Sequence, residues 1–188
     1  MAVFKCKMCG GELNAHSING IVECEYCGSS QTISKSNDED IQNLFNKANN
    51  LRRRCEFDKA LVLYDRIISE CETDAEGYYG ALLCKYGIEY VDDPATNKKI
   101  PTCHRASYES IKSDDYYVNA IKYANLFQKE LFENETNEIN RLQKEILLLS
   151  EKEDPYDVFI SFKATDEYGR TTEDSLLAQE LYYYLTKN

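Results

Sequence analysis

The chain has 188 residues and a net charge of −11, with 43% hydrophobic and 29% charged residues, an ordinary composition for a globular protein of one or two domains. The acidity disfavours nucleic acid as a partner, because sequence-independent binding needs lysine and arginine to neutralise phosphates. No apolar run reaches the roughly 18 residues that span a bilayer, and the start, Met1-Ala2-Val3-Phe4-Lys5, lacks the apolar core of a signal peptide; a cytoplasmic protein without membrane contact is expected.

Eight cysteines in that compartment point to metal ligands or buried thiols before disulfides. Four of them form two tight pairs, Cys6-x2-Cys9 and Cys24-x2-Cys27, with fourteen residues between the pairs and a glycine (Gly10, Gly28) after each. Two thiolates three positions apart reach one ion if the backbone turns tightly, and glycine permits that turn. Between the pairs, Ile18-Asn19-Gly20-Ile21 reads as a hairpin turn that returns the second pair to the first. Four thiolates in tetrahedral array select Zn2+ and leave no open coordination position, so the expected role is structural. His16 also lies between the pairs, but four cysteines make it redundant as a ligand. A segment this short lacks enough core to fold alone, so metal binding supplies its folding free energy. Residues 1–34 resemble a zinc ribbon. Lys5 and Lys7 against Glu12, Glu23 and Glu25 favour protein contact over a phosphate backbone.

A polar linker is expected over 35–40, and a helical domain over 41–152. Ile41, Leu44, Phe45, Ala48 and Leu51 form one apolar stripe; Phe57, Ala60, Leu61, Tyr64, Ile67, Ile68 and Cys71 form the next. Arg52-Arg53-Arg54 reads as the solvated face of the first helix. Ala48, Phe57 and the Ala60-x3-Tyr64 step resemble a tetratricopeptide repeat, although Glu72 stands where that family has a proline. A third helix follows from Ala75, with Tyr78, Tyr79, Leu82 and Leu83 inward. Residues 84–104, with Pro94 and Pro101, read as an extended excursion. Cys84, Cys103 and His104 there are read as buried thiols and a surface histidine in preference to a second metal set, and Cys55 and Cys71 as core thiols. One further helix carries Tyr117, Ala120, Ile121, Ala124, Phe127 or Gln128, and Leu131. Another carries Ile139, Leu142, Ile146 and Leu149 as a short seam, read as packing within the chain in preference to pairing with a second copy.

A charged stretch, Glu151-Lys152-Glu153-Asp154-Pro155, marks a second boundary. Beyond it, Tyr156-Asp157-Val158-Phe159-Ile160-Ser161-Phe162-Lys163, an acidic loop with Asp166-Glu167, and a helix from about Thr172 carrying Leu176, Leu177, Ala178, Leu181, Tyr184 and Leu185 resemble the first strand, loop and helix of a TIR (Toll/interleukin-1 receptor homology) domain. Phe162 replaces the family's more frequent tyrosine. The resemblance implies a doubly covered α/β domain of which 155–188 is only the start. It also implies a nucleotide pocket bordered by Ser161, Lys163 and Asp166, with NAD as a possible substrate of a complete form whose catalytic glutamate lies on a later helix; other members are non-enzymatic adaptors. Read without the resemblance, Asp166, Glu167, Glu173 and Asp174 are a solvated loop and helix start. The expectation is therefore a mainly α chain: a small β zinc ribbon, tetratricopeptide-like helices and an incomplete TIR domain. As given it would act as a zinc-stabilised module for protein partners or self-association and not as an enzyme.

Overall fold

In the computed structural model the described residues are 3–13, 20–96, 98–152 and 160–186. The fold is mainly helical, with six α-helices, one short 3-10 helix and two antiparallel two-stranded sheets among the described residues. The chain divides into two units, Met1–Ser150 and Glu151–Asn188.

In the first unit the cysteine-rich segment opens with a bridge between Lys5 and Glu12 and continues in a hairpin of β1 (Ile21–Glu23) and β2 (Ser30–Thr32), with Val22 opposite Gln31. Ile18 and Asn19, expected in a turn, lie outside the described residues, as does His16; Gly20 has the positive φ of +84°. Helix α1 (Glu39–Arg53) begins two residues earlier than expected, because the Asp38 side chain accepts the Asp40 and Ile41 N–H groups and caps the helix there. Its end is unusual. Cys55 donates to the Arg52 carbonyl and Glu56 to the Leu51 carbonyl, the pairing of a Schellman motif, whose left-handed position normally holds glycine. Here that position is Cys55, at φ +56°, a conformation that costs an ordinary residue roughly 1–2 kcal/mol.

Helices α2 (Phe57–Glu70) and α3 (Ala75–Lys85) follow. Ala48, Ala60, Tyr64, Ile67, Ala81 and Cys84 form a core shared by α1, α2 and α3. Their approach is close because Gly80 leaves room for the Tyr64 ring, which would lie 2.2 Å from an added Cβ; the Tyr64 hydroxyl donates to Asn49. The other side of α3 joins a second core of Tyr79, Leu82, Leu83, Ile88, Ile111, Phe132 and Ile139.

Four expectations need correction here. Residues 84–104 are not merely extended: β3 (Ile88–Asp92) and β4 (Lys99–Cys103) form a hairpin with Tyr90 opposite Pro101. The two later helices divide differently, as α4 (Asp115–Tyr123) and a 25-residue α5 (Leu126–Ser150). Ala124 is extended, and Asn125 caps the new helix by accepting the Gln128 N–H, so Leu131 belongs to α5. Gln128 points inward, bonding the Ile33 carbonyl, while Phe127 is exposed. The buried stripe of α5 is Phe132, Thr136, Ile139 and Gln143, and Leu149 is exposed, because the body beneath the helix sets which face is covered. Phe132 stacks on Tyr79 at 4.0 Å, and the Thr136 and Tyr79 hydroxyls are hydrogen-bonded. Finally, Arg52 is not solvated but 1% exposed.

The buried polar groups tie the cysteine-rich segment to the helices. Lys7 Nζ donates to Glu76 Oε1 at 2.8 Å and to the Thr32 hydroxyl at 3.1 Å, and Thr32 in turn donates to Glu76. Arg52 donates to the carbonyls of Lys7 (2.8 Å) and Ile88 (3.1 Å) and lies over the Tyr90 ring.

The second unit holds α6 (Glu173–Thr186) and a loop closed by a Thr165–Thr171 bridge. The expected strand falls partly on 156–159, outside the described residues; Ile160 to Lys163 carry no strand.

Two outcomes follow from this packing. Glu76→Ala leaves Lys7 buried without its counter-charge and lowers unfolding stability by about 3–5 kcal/mol, whereas Lys7→Met combined with Glu76→Leu recovers most of the loss; urea titration measures both. Gly80→Ala drives a methyl into the Tyr64 ring and costs about 1–3 kcal/mol by the same assay.

Candidate metal centre

The two Cys-x2-Cys turns have the same backbone construction. In the first, Cys6 N–H donates to the Gly11 carbonyl and Gly10 N–H to the Cys6 carbonyl. In the second, Cys24 N–H donates to Ser29 and Gly28 N–H to Cys24. Each turn is closed by a glycine at positive φ, +82° for Gly10 and +65° for Gly28, where a side chain would be strained.

These turns bring all four sulfurs together. Cys6 and Cys27 Sγ are 3.7 Å apart, Cys9 and Cys24 Sγ are 3.6 Å apart, and every pair among the four lies within 4.8 Å. The thiols are free. A tetrahedron with metal–sulfur bonds of about 2.3 Å has edges of about 3.8 Å, so the four cysteines stand close enough together to hold a metal ion. The pairs alternate, each short contact joining a cysteine of one turn to one of the other, as a shared ion requires.

The surroundings favour negative sulfur at Cys6 and oppose it at Cys9 and Cys24. Cys6 Sγ accepts the Met8 and Cys9 N–H groups at 3.4 Å and the Gln31 amide at 3.1 Å. Burial opposes ionisation of Cys6, but these donors outweigh it and bring its pKa down to about 7. Cys9 is pushed up to about 12, first by burial and then by the sulfurs of Cys24, Cys27 and Cys6, against one N–H from Gly11. Four crowded sulfurs cannot all ionise unaided; a bound cation resolves the conflict. Arg53 reinforces the first turn by donating to the Cys6 carbonyl at 3.1 Å.

The other residues read as a site behave differently. Ser161 and Lys163 are exposed. Asp166 is engaged in its own turn, accepting the Tyr168 and Arg170 N–H groups at 2.9 Å and Arg170 Nε at 3.0 Å; these bonds, Arg170 N–H foremost, hold its carboxyl below the usual range. The Lys163 carbonyl accepts the Thr172 hydroxyl. Cys84 is buried, with burial raising its pKa to about 12, and Cys103 Sγ donates to the Tyr86 carbonyl. His104 is exposed and pairs with Glu89 at 2.9 Å. Cys55, expected in the core, is exposed, because the Schellman turn lifts it off the apolar stripe of α1.

Replacing Cys24 by serine removes one equivalent of bound metal per chain and unfolds the β1–β2 hairpin around it; elemental analysis and amide exchange in that segment report the two effects. No family model, curated protein or solved structure matches this chain.

Proposed function

We propose that the chain is a zinc-stabilised protein-interaction module, the N-terminal part of a TIR-type signalling or defence protein. The observation that carries the reading is the closed four-sulfur cluster joined to the helical body through Lys7 and Arg52. Soft thiolate donors in tetrahedral array favour Zn2+ over the harder divalent cations. With all four positions taken by sulfur, the ion contributes folding energy and leaves no place for substrate. Cys6, Cys9, Cys24 and Cys27 would hold it, in the manner of a zinc ribbon, and the tetratricopeptide-like packing of Ala48, Ala60 and Tyr64 would form the body behind it.

Two features support a protein partner. The basic run is largely engaged within the chain: Arg52 is buried, Arg53 bonds the Cys6 carbonyl and the exposed Arg54 pairs with Glu56 at 2.9 Å. That leaves the acidic chain poorly suited to phosphate backbones. On α6, Leu176, Leu177, Leu181 and Leu185 are each 44–58% exposed, together with Tyr182, Tyr183 and Tyr184; contiguous exposed apolar surface marks contact sites. Self-association through this helix is the form of contact proposed. Among the described residues no helix is long and apolar enough to cross a membrane.

The TIR assignment rests on the likeness of residues 156–163 and the helix after them, and the NAD chemistry of that family belongs to the complete form. The 188-residue chain should release no nicotinamide from NAD. Turnover abolished by Lys163→Ala but untouched by Cys24→Ser would overturn this. Sedimentation should show concentration-dependent association that Leu177→Glu with Leu181→Glu suppresses; a wild-type chain monomeric at every concentration removes the self-association reading.

A further inference from the structure

A second group of metal-ligating side chains lies outside the four-cysteine cluster. Cys55, Glu89 and His104 each offer one donor atom, and all three donors lie within 4.8 Å of one another. They come from three separate elements. Cys55 is the left-handed residue that ends α1. Glu89 is the second residue of β3. His104 follows β4 directly and is fixed by its own N–H, which donates to the Gly87 carbonyl at 3.0 Å. The three meet because Ile88 pairs with Cys103 in the β3–β4 hairpin and Arg52, one turn before Cys55, bonds the Ile88 carbonyl.

We propose that Cys55, Glu89 and His104 form a second binding site for a divalent cation of the zinc class. One sulfur, one imidazole nitrogen and one carboxylate oxygen are the donors that zinc accepts, and three protein ligands leave a fourth position for water or an incoming group. The site therefore differs in kind from the closed sulfur cluster. His104 Nε2 and Glu89 Oε2 lie 2.9 Å apart; a cation bound between them would take the neutral imidazole through Nε2, with its ring proton on Nδ1, while the Cys55 thiol releases its proton to solvent.

Three further observations support the assignment. The left-handed position of a Schellman turn accepts glycine without strain, yet it carries a cysteine here, held at φ +56° with its thiol near two other donors; strain of this kind collects at functional positions. The imidazole is oriented by packing on Phe57, with ring centroids 5.4 Å apart. The neighbouring cation does not compete, because Arg105 is bound in a fork to both carboxylate oxygens of Asp58, at 2.8 and 3.1 Å. His104 is 45% exposed at its side chain, so the site opens to solvent.

The test uses the full chain, stripped of metal under reducing conditions and titrated with Zn2+ and, for its spectrum, Co2+. The wild type should bind two equivalents. Cys55→Gly places the preferred residue in the turn, so it removes the thiol without endangering the fold, and it should leave one equivalent. His104→Ala and Glu89→Gln should weaken the second equivalent at least tenfold. In all three variants the intense thiolate-to-cobalt absorption of the four-sulfur cluster should persist, which separates loss of the second site from loss of the first. A wild type that binds a single equivalent overturns the proposal. So does a second equivalent held with unchanged affinity in Cys55→Gly and His104→Ala.

Discussion

The first unit depends on a buried ionic junction. Lys7 lies inside the cysteine-rich turn region, and its ammonium meets Glu76 in the first turn of α3, with both side chains less than a tenth exposed. Taking two charges out of water is costly, and the pair is tolerable because each partner also finds a further hydrogen bond. Thr32 bonds both partners, and the Lys7 carbonyl is taken by Arg52. Arg52 extends the same network to Ile88 and the β3–β4 hairpin. One lysine and one arginine thus join the four-cysteine cluster, α1, α3 and the second sheet into a single body. The arginine retains one unsatisfied buried atom, Nε, a cost carried by the two carbonyls and the Tyr90 face that it does engage.

Local backbone devices then place the chemistry. Two turns of identical hydrogen-bonding pattern, each closed by a left-handed glycine, bring four sulfurs to tetrahedral spacing. The end of α1 uses the same conformational region for a different purpose, with a cysteine in place of glycine. The first arrangement is unstrained and would enclose an ion; the second is strained and faces solvent. That contrast separates a four-sulfur set, which would leave a metal no open position, from a three-donor set, which would leave one. Arg52 bonds backbone beside both, at Lys7 and Ile88, and Arg53 bonds the Cys6 carbonyl of the first, so two of the arginines that read as a solvated face instead support the candidate metal sites.

The position of α3 follows from small residues. Gly77, Gly80 and Ala81 let α2 approach one side, while Ala75, Tyr79, Leu82 and Leu83 fill the other. A helix buried on every side has little amphipathic character, and this one is recognisable by its run of alanine, glycine and leucine more than by any stripe. Tyr79 links it outward: its ring stacks on Phe132 and its hydroxyl meets Thr136, which decides the face that α5 turns inward.

The sequence alone singled out the four cysteines that the fold brings within reach of one ion, the first three helices and most of their inward residues, because two-residue spacing, glycine after each pair and helical periodicity are local signals. The break between α4 and α5 was written in Asn125 but masked by an apolar pattern that runs across it. The β3–β4 hairpin was hidden by its prolines, since Pro101 sits in a two-stranded edge where a missing N–H is harmless. What only tertiary structure decided is long-range: the burial of Arg52, the charge pairing of Lys7 with Glu76, and the meeting of Cys55 with Glu89 and His104. None of these has a spacing to read, because each joins residues from elements far apart in the chain. Their proximity is set by how the helices and the hairpin pack, and packing answers to shape and desolvation rather than to local sequence.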